Sequence, residues 1–523
     1  MPSPHVLLML LAAIALTTLA APRLRLPLPI ALTAAGLGLA TIPGLPQPRL
    51  DPNLILLVLL PPLLYADAFH TSWHDFRRWL RPILMLAVGL VAFTMLVVGL
   101  LAHALFPGLP WAACFALGAI LSPTDTVATQ AVLERLRIPR RATAILSGES
   151  LVNDATGLVG VQLCLAVLLT GAFELGEIGA RFAWVTGGGV AVGLVVGACF
   201  AALNQRVREP NALFLLSLVS PYVAALGGAE LGVSGVLAVV VAGFFVAWRV
   251  HHIDARHRTG LYLIWDQLVF VLNALAFLYI GLEVPALLRR DELGATALGP
   301  AILVALVVVL ARFAWMLPMA YLPLRFLPRM RAVEGGYPPL RNVLLASWCG
   351  VRGSVSLAAA LALPATLAAD TPFPGRATIV FVTLVVVLVT LFAQGLTLGP
   401  LVRLLRIRAG EETGAEVRAA REVVLQAGIA RLDEFCSEVS CPLSVHHLRA
   451  AMQDELSSLH ERDEAERLRA RQRLEVSRDV RAAVHAAQSR ALLTLRDGER
   501  INDRLYTSLQ LELDRLQAVS GAS

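Results

Sequence analysis

The sequence predicts an all-α polytopic membrane protein of about 13 transmembrane helices, with inverted repeats and two interrupted crossing helices, followed by a cytosolic helical tail. Three observations carry this. Of 523 residues, 57% are hydrophobic and only 16% charged, where a soluble domain carries about a quarter charged residues. The apolar residues run in uninterrupted blocks as far as about residue 400, each about long enough to cross a hydrocarbon core. Near Arg406 the composition switches to an Arg- and Glu-rich stretch of helix formers with few Gly or Pro. These place a transmembrane domain at 1–405 and a tail at 406–523.

Thirteen blocks are read as spans, at 6–21, 28–44, 53–69, 82–106, 111–131, 142–170, 181–203, 211–229, 232–248, 263–284, 299–323, 342–366 and 376–403. The first lacks a basic segment ahead of Val6 and runs straight into further apolar sequence, so it is expected to be a span rather than a cleaved signal. Sorting the interhelical Arg residues into alternate loops tests the count, because cytoplasmic loops hold the positive excess. One set of loops holds eighteen, from Arg23 to Arg341, and the other five: Arg49, Arg181, Arg289, Arg290 and Arg376. One miscounted span in the middle would collapse that asymmetry. The predicted topology has the N-terminus outside and the C-terminus cytoplasmic, in the cell's inner membrane.

The tail reads as amphipathic helix, with Val417, Val424, Leu425, Ile429 and Leu432 at helical spacing and further Leu repeats in 491–516, while 452–482 is mostly charge. The formal net charge of +6 comes entirely from Arg, since the chain contains no Lys. In a chain this apolar that bias does not point to nucleic acid. Four of the six cysteines sit singly in apolar blocks, and Cys436 with Cys441 lacks C-x-x-C spacing, so neither a zinc site nor a disulfide framework is expected.

Function is expected where polarity is expensive, because an ionisable group near the middle of a span costs ~2.5–3.5 kcal/mol on insertion scales. In the fifth block, Ser122-Pro123-Thr124-Asp125 puts a helix breaker beside a carboxylate. Proline removes a backbone donor and frees carbonyls that can coordinate a cation. The sixth block holds Ser147-Gly148-Glu149-Ser150 and Asn153-Asp154, the densest polarity in the membrane region. Ser150 and Asp154 are four residues apart and share a face. A hydroxyl and a carboxylate can therefore enter one cavity, as a hard monovalent cation requires. Asn153 points about 100° away and is expected to tie this helix to a neighbour. Glu149 needs a buried cationic partner.

Two such cations exist, Arg312 in the eleventh block and Arg352 in the twelfth, the latter within Gly350-Val351-Arg352-Gly353-Ser354. The flanking glycines loosen the twelfth block as Pro123 loosens the fifth. Two interrupted helices seven spans apart are the sequence sign of an inverted repeat with a midplane site. Asp125 and Arg352 could then neutralise the facing dipole ends. Asp67 is expected at the cytoplasmic approach, and Asp266 and Glu283 at ordinary interfacial positions.

At this point the residues resemble the monovalent cation/proton antiporter-1 family of sodium/proton exchangers. The resemblance rests on LPPLLYADAF (60–69), SPTDTVAT (122–129), GESLVNDATG (148–157), FVLNALAFLYIGLE (270–283) and GVRGSVSLA (350–358), in the family's order. It implies a thirteen-helix homodimer with dimerisation and core subdomains, moving by an elevator-like shift. Asp154 is then the cation- and proton-binding carboxylate, Asn153 its partner, and Ser150 and Thr124 further Na⁺ oxygens. Glu149 with Arg312, and Asp125 with Arg352, resemble the family's structural ion pairs. Two positions depart from the pattern: Asp266 where relatives often carry Glu, and Ala66 where many bacterial members have Glu, which leaves Asp67 to act there through water.

The expected activity is exchange of Na⁺, or Li⁺ or K⁺, for H⁺, electroneutral and one for one, because one Asp beside a neutral Asn holds one ion or one proton. No cofactor is expected, and the partners are Na⁺, H⁺, the bilayer and a second copy. An alternative is a cation channel, or a K⁺/H⁺ exchanger of different stoichiometry. A channel needs weak binding at many sites along a pore, whereas one acidic site is concentrated here. An intramembrane enzyme is disfavoured, since H-E-x-x-H is absent and G-x-S-x-G does not occur around Ser150 or Ser354.

Overall fold

Why the chain takes the shape it does is clearest from its helices, seen in a computed structural model that describes residues 4–42, 58–125, 129, 140–171, 175–207, 209–250, 255–288, 297–333, 336–367, 372–407, 411–438, 443–460, 483–495, 505, 509–510 and 513–514. The chain separates into two compact units, Met1–Ala409 and Gly410–Ser523.

In the first unit the described helices are α1 (Pro4–Leu24), α2 (Leu28–Ala40), α3 (Leu60–His70), α4 (Trp73–Arg78), α5 (Leu80–Leu105), α6 (Trp111–Leu121), α7 (Arg140–Thr170), α8 (Leu175–Arg206), α9 (Pro210–Glu230), α10 (Gly235–Arg249), α11 (Ala255–Leu288), α12 (Leu298–Phe326), α13 (Pro328–Val333), α14 (Leu340–Trp348), α15 (Ser354–Leu361) and α16 (Arg376–Leu404). Eight of the described helices are long and apolar enough to cross a membrane: α1, α5, α7, α8, α9, α11, α12 and α16. The protein is therefore a multi-pass membrane protein. The other apolar blocks carry shorter pieces. α2, α6 and α10 are 13, 11 and 15 residues long, and the twelfth block is divided between α14 and α15. Residues 43–44, 53–57, 126–128 and 130–131, from the second, third and fifth predicted spans, lie outside the described residues.

The starts of these helices follow local chemistry. Pro61 and Pro62 open α3, where a missing amide costs nothing. The Ser72 hydroxyl accepts the Asp75 amide at the start of α4, and the Ser234 hydroxyl accepts the Leu237 amide at the start of α10. Inside α5, residues Met85–Leu90 widen into a π-helical turn, and the Met85 carbonyl there accepts the Trp315 indole N–H at 3.0 Å.

Lipid supplies no hydrophobic drive between helices, so close backbone approach must hold them together. α2 and α11 meet at Gly36 and Gly281, where a Cβ on either would overlap the partner's backbone carbonyl. The Thr33 hydroxyl spans the contact to the Phe277 carbonyl at 3.2 Å. Facing outward are Leu8, Leu16, Trp184, Val195, Leu215 and Phe326, an apolar surface suited to hydrocarbon and not to water. α14, α15 and α16 bury Leu345, Leu357, Leu361 and Val386 inside the unit.

In the second unit, α17 (Glu411–Glu438) and α18 (Leu443–His460) pack on each other. Salt bridges join Arg449 to Asp433 at 2.5 Å and Arg421 to Glu455 at 3.0 Å. The Arg449 guanidinium holds the Asp433 carboxyl below the usual carboxylate range. One expectation is corrected here: Cys436, near the end of α17, is disulfide-bonded. C-x-x-C spacing bears on metal binding and says nothing about sulfur–sulfur closure, which depends on Cα atoms ~4.4–6.8 Å apart with Cβ atoms facing one another. Cys441 and the charged stretch 461–482 lie outside the described residues, as does most of 491–516.

Candidate functional site

Two broken helices meet to make the site. α6 stops at Leu121, and residues 122–125 continue without helix. α14 stops at Trp348, residues 349–353 are extended or irregular, and α15 begins at Ser354. The breaks touch directly, the Asp125 amide donating to the Val351 carbonyl at 2.8 Å. Helix ends leave orphaned carbonyls and amides, and side chains from the opposite break serve them. Arg352, fully buried, donates its Nε to the Leu121 carbonyl at 2.9 Å, at the negative end of α6, and its Nη1 to the Gly350 carbonyl. Its Nη2 has no hydrogen-bond partner among the described residues. Asp125 sits on Gly353, the residue capping α15, so closely that a Cβ there would overlap the carboxylate. A carboxylate at a helix N-terminus and a guanidinium at a C-terminus both complement the helix dipoles. Arg352 thus serves the broken helix of the fifth block, and Asp125 packs against the residue that precedes α15.

The sixth-block polar residues enter from α7. The Ser150 hydroxyl donates to the Thr124 carbonyl at 2.7 Å. The Asn153 amide donates to the Thr124 hydroxyl at 2.9 Å, while its Oδ1 is buried without a partner among the described residues. Both contacts tie α7 to the fifth-block break. Asp154, only 6% exposed, opens into a small cavity of about 30 Å³. Thr124, Asp125, Ser150 and Asp67 line the same space, with Asn273, Ser354 and Ser356. The sequence-named oxygens therefore converge, Asp67 sharing the cavity itself. The donor set mixes carboxylates with hydroxyls and a carbonyl, as hard monovalent cations favour. Among the described residues no three His, Cys, Asp or Glu side chains form a metal-holding group.

Glu149 points away from this cavity. It pairs with Arg312 through two bonds, of which Nη2 to Oε2 measures 2.8 Å. Arg312 also donates to the Ala346 carbonyl from Nε and Nη2, at 3.2 and 3.1 Å, near the end of α14. Both side chains are almost fully buried. Asp266 is 58% exposed and lies 3.1 Å from His70, and Glu283 accepts the Tyr279 hydroxyl at 2.5 Å.

Asn273, Ser354 and Ser356 lie inside motifs quoted from the sequence, but none of them was assigned to the site there. A neutral amide in the otherwise apolar run 268–278 was the available signal for Asn273.

Residues 7–404 match the family described as "Sodium/hydrogen exchanger, transmembrane". The chain is 34% identical over 519 residues to a Na(+)/H(+) exchanger of Mycobacterium tuberculosis named as uncharacterized, covering 97% of this chain and 94% of that one. It is 33% identical over 374 residues to the Na(+)/H(+) antiporter NhaP of Pseudomonas aeruginosa, covering 69% of this chain and 83% of that protein. In fold it resembles the sodium proton antiporter MjNhaP1 of Methanocaldococcus jannaschii, with a TM-score of 0.57 at 20% identity over 76% of this chain and 97% of that one.

Proposed function

Because the chain belongs to the sodium/hydrogen exchanger family of monovalent cation/proton antiporters, we propose that it exchanges Na⁺ for H⁺ by competition for the Asp154 carboxylate. One observation carries this reading: Asp154 faces a water-sized cavity at the meeting of two broken helices. Burial disfavours a charged carboxylate, and either a proton or a cation relieves that cost. Ser150 and Thr124 supply further oxygens, and Asn153 fixes α7 against Thr124.

In this reading the loaded site crosses neutral and the empty charged site is held back by its desolvation cost. Exchange is one for one, driven by an elevator-like shift of a core subdomain against a dimerisation subdomain in a homodimer. Thirteen spans put the N-terminus outside and the tail in the cytoplasm, in the inner membrane, where the tail adjusts transport. Glu149–Arg312 is structural, and Arg352 with Asp125 holds the breaks.

The test is a proteoliposome assay of Na⁺-driven proton movement with Asp154→Asn, which keeps the side-chain shape and removes the charge. Exchange should vanish while the protein remains folded and dimeric. Near-normal flux in that variant would overturn the reading.

A further inference from the structure

The proposed exchange uses oxygens from α7 and the fifth-block break, and those are largely engaged with one another. The Ser150 hydroxyl points at the Thr124 carbonyl, and the Thr124 hydroxyl receives the Asn153 amide. A monovalent cation stripped of water in this space gains charge compensation from Asp154 and needs several neutral oxygens together to replace its hydration shell. On the cavity wall α11 contributes a single residue, Asn273, and α3 contributes the single acid Asp67. α3 and α11 come from the third and tenth apolar blocks, seven apart, the same separation as the two broken blocks. Asn273 is flanked by Leu272 and Ala274, both buried, and an amide set between buried apolar residues is costly unless it has polar work to do.

We propose that Asn273 is a specificity-determining residue of the exchanger, its side-chain carbonyl serving as a neutral ligand that favours the smaller monovalent cations. The inference rests on the reading of Asp154 as the ion-carrying group and adds to it a ligand from α11. An amide suits both halves of the cycle. Its oxygen can face a cation when one is bound, and its NH₂ can donate to a cavity carboxylate when the site holds none. It does this without adding charge, so the one-for-one exchange is preserved. A fourth carboxylate beside Asp67, Asp125 and Asp154 would instead raise the charge that the site must carry.

The test uses the full-length protein in proteoliposomes, with Na⁺, Li⁺ and K⁺ each driving proton movement. In Asn273→Ala the Na⁺ and Li⁺ concentrations for half-maximal exchange should rise about tenfold, as for one lost ligand contact. The maximal rate should stay within about twofold, and the K⁺ value should move less, so that preference among cations narrows. Asn273→Asp keeps the shape and is read alongside in case the alanine variant folds poorly. It should tighten cation binding and make exchange sensitive to membrane potential. Unchanged half-maximal concentrations in the alanine variant, or an equal rate loss for every cation without a shift in them, would overturn the proposal. So would voltage-independent exchange with unaltered affinity in Asn273→Asp. A wild-type protein that moves no protons on a Na⁺ gradient would instead overturn the exchange reading itself, so the two failures are distinct.

Discussion

Arg352 on the twelfth-block break donates from Nε to the carbonyl of Leu121 on the fifth, at 2.9 Å across 231 positions of sequence. The bond joins the guanidinium of one broken helix to the negative end of the other, while Asp125 rests on Gly353 at the start of α15. Each break is held by the opposite one. The crossing therefore behaves as a unit whose parts lose their partners together, which sets the expectations that follow.

Gly353→Ala should destabilise this crossing. The added Cβ would overlap the Asp125 carboxylate, and forcing atoms into a packed site costs ~1–3 kcal/mol. A lowered thermal midpoint in detergent is expected, with exchange reduced even at temperatures where the protein is folded. Wild-type stability would mean that Asp125 can withdraw freely from Gly353.

Arg312→Ala should cost more stability than affinity. It strands Glu149, which is almost fully buried, and breaking a buried pair costs ~3–5 kcal/mol. The double variant Glu149→Leu with Arg312→Met should recover much of that loss, because two apolar groups leave no uncompensated charge. Thermal unfolding of the three proteins reads this directly, alongside Na⁺ affinity, which should change little.

Exchange should ignore membrane potential. If Asp154 alternately holds one Na⁺ or one H⁺, both loaded forms carry the same charge, and a field worth ~2.3 kcal/mol per charge per 100 mV has nothing to move. Proteoliposomes on a Na⁺ gradient should exchange at equal rates at zero potential and at either sign. A transport current that reverses with the gradient would mean a second proton travels, with Asp125 and Asp67 in the same cavity the acids to examine.

Removing the tail should modulate exchange and leave it intact. Every cavity oxygen lies within Met1–Ala409, a compact unit of its own. A chain truncated at Gly410 should insert and exchange, with an altered rate or pH dependence. Loss of all exchange in a well-folded truncated protein would place the tail inside the cycle.

Contact between α17 and α18 should weaken in acid. Arg449 lowers the Asp433 carboxyl in the folded state, so its contribution is present above the unfolded carboxylate range and is lost as pH falls through the lower folded value. Helix melting of the isolated Gly410–Ser523 unit, compact in its own right, should show less acid sensitivity in Asp433→Asn than in the wild type. Equal acid sensitivity in both would show that Asp433 does not report on this contact.

The sequence by itself determined the membrane class and the places where its helices fail. Hydropathy over some twenty residues is a local property that the bilayer reads directly, and Pro123 and the glycines around Arg352 break helices through their own backbone chemistry. It also gathered Ser150 and Asp154 as candidates, because polarity inside apolar blocks is scarce, while Thr124 entered only through the family resemblance. Only the tertiary structure decided which of the blocks carry long helices and which carry short or divided ones, that Arg352 serves Leu121, and that Asp67 and Asn273 reach the same cavity as Asp154. It also decided that Cys436 is bonded. Such pairings join residues up to a few hundred positions apart. No local periodicity encodes them, because they depend on how close helix backbones approach, as at Gly36 and Gly281, and on which orphaned carbonyl a buried guanidinium finds within reach.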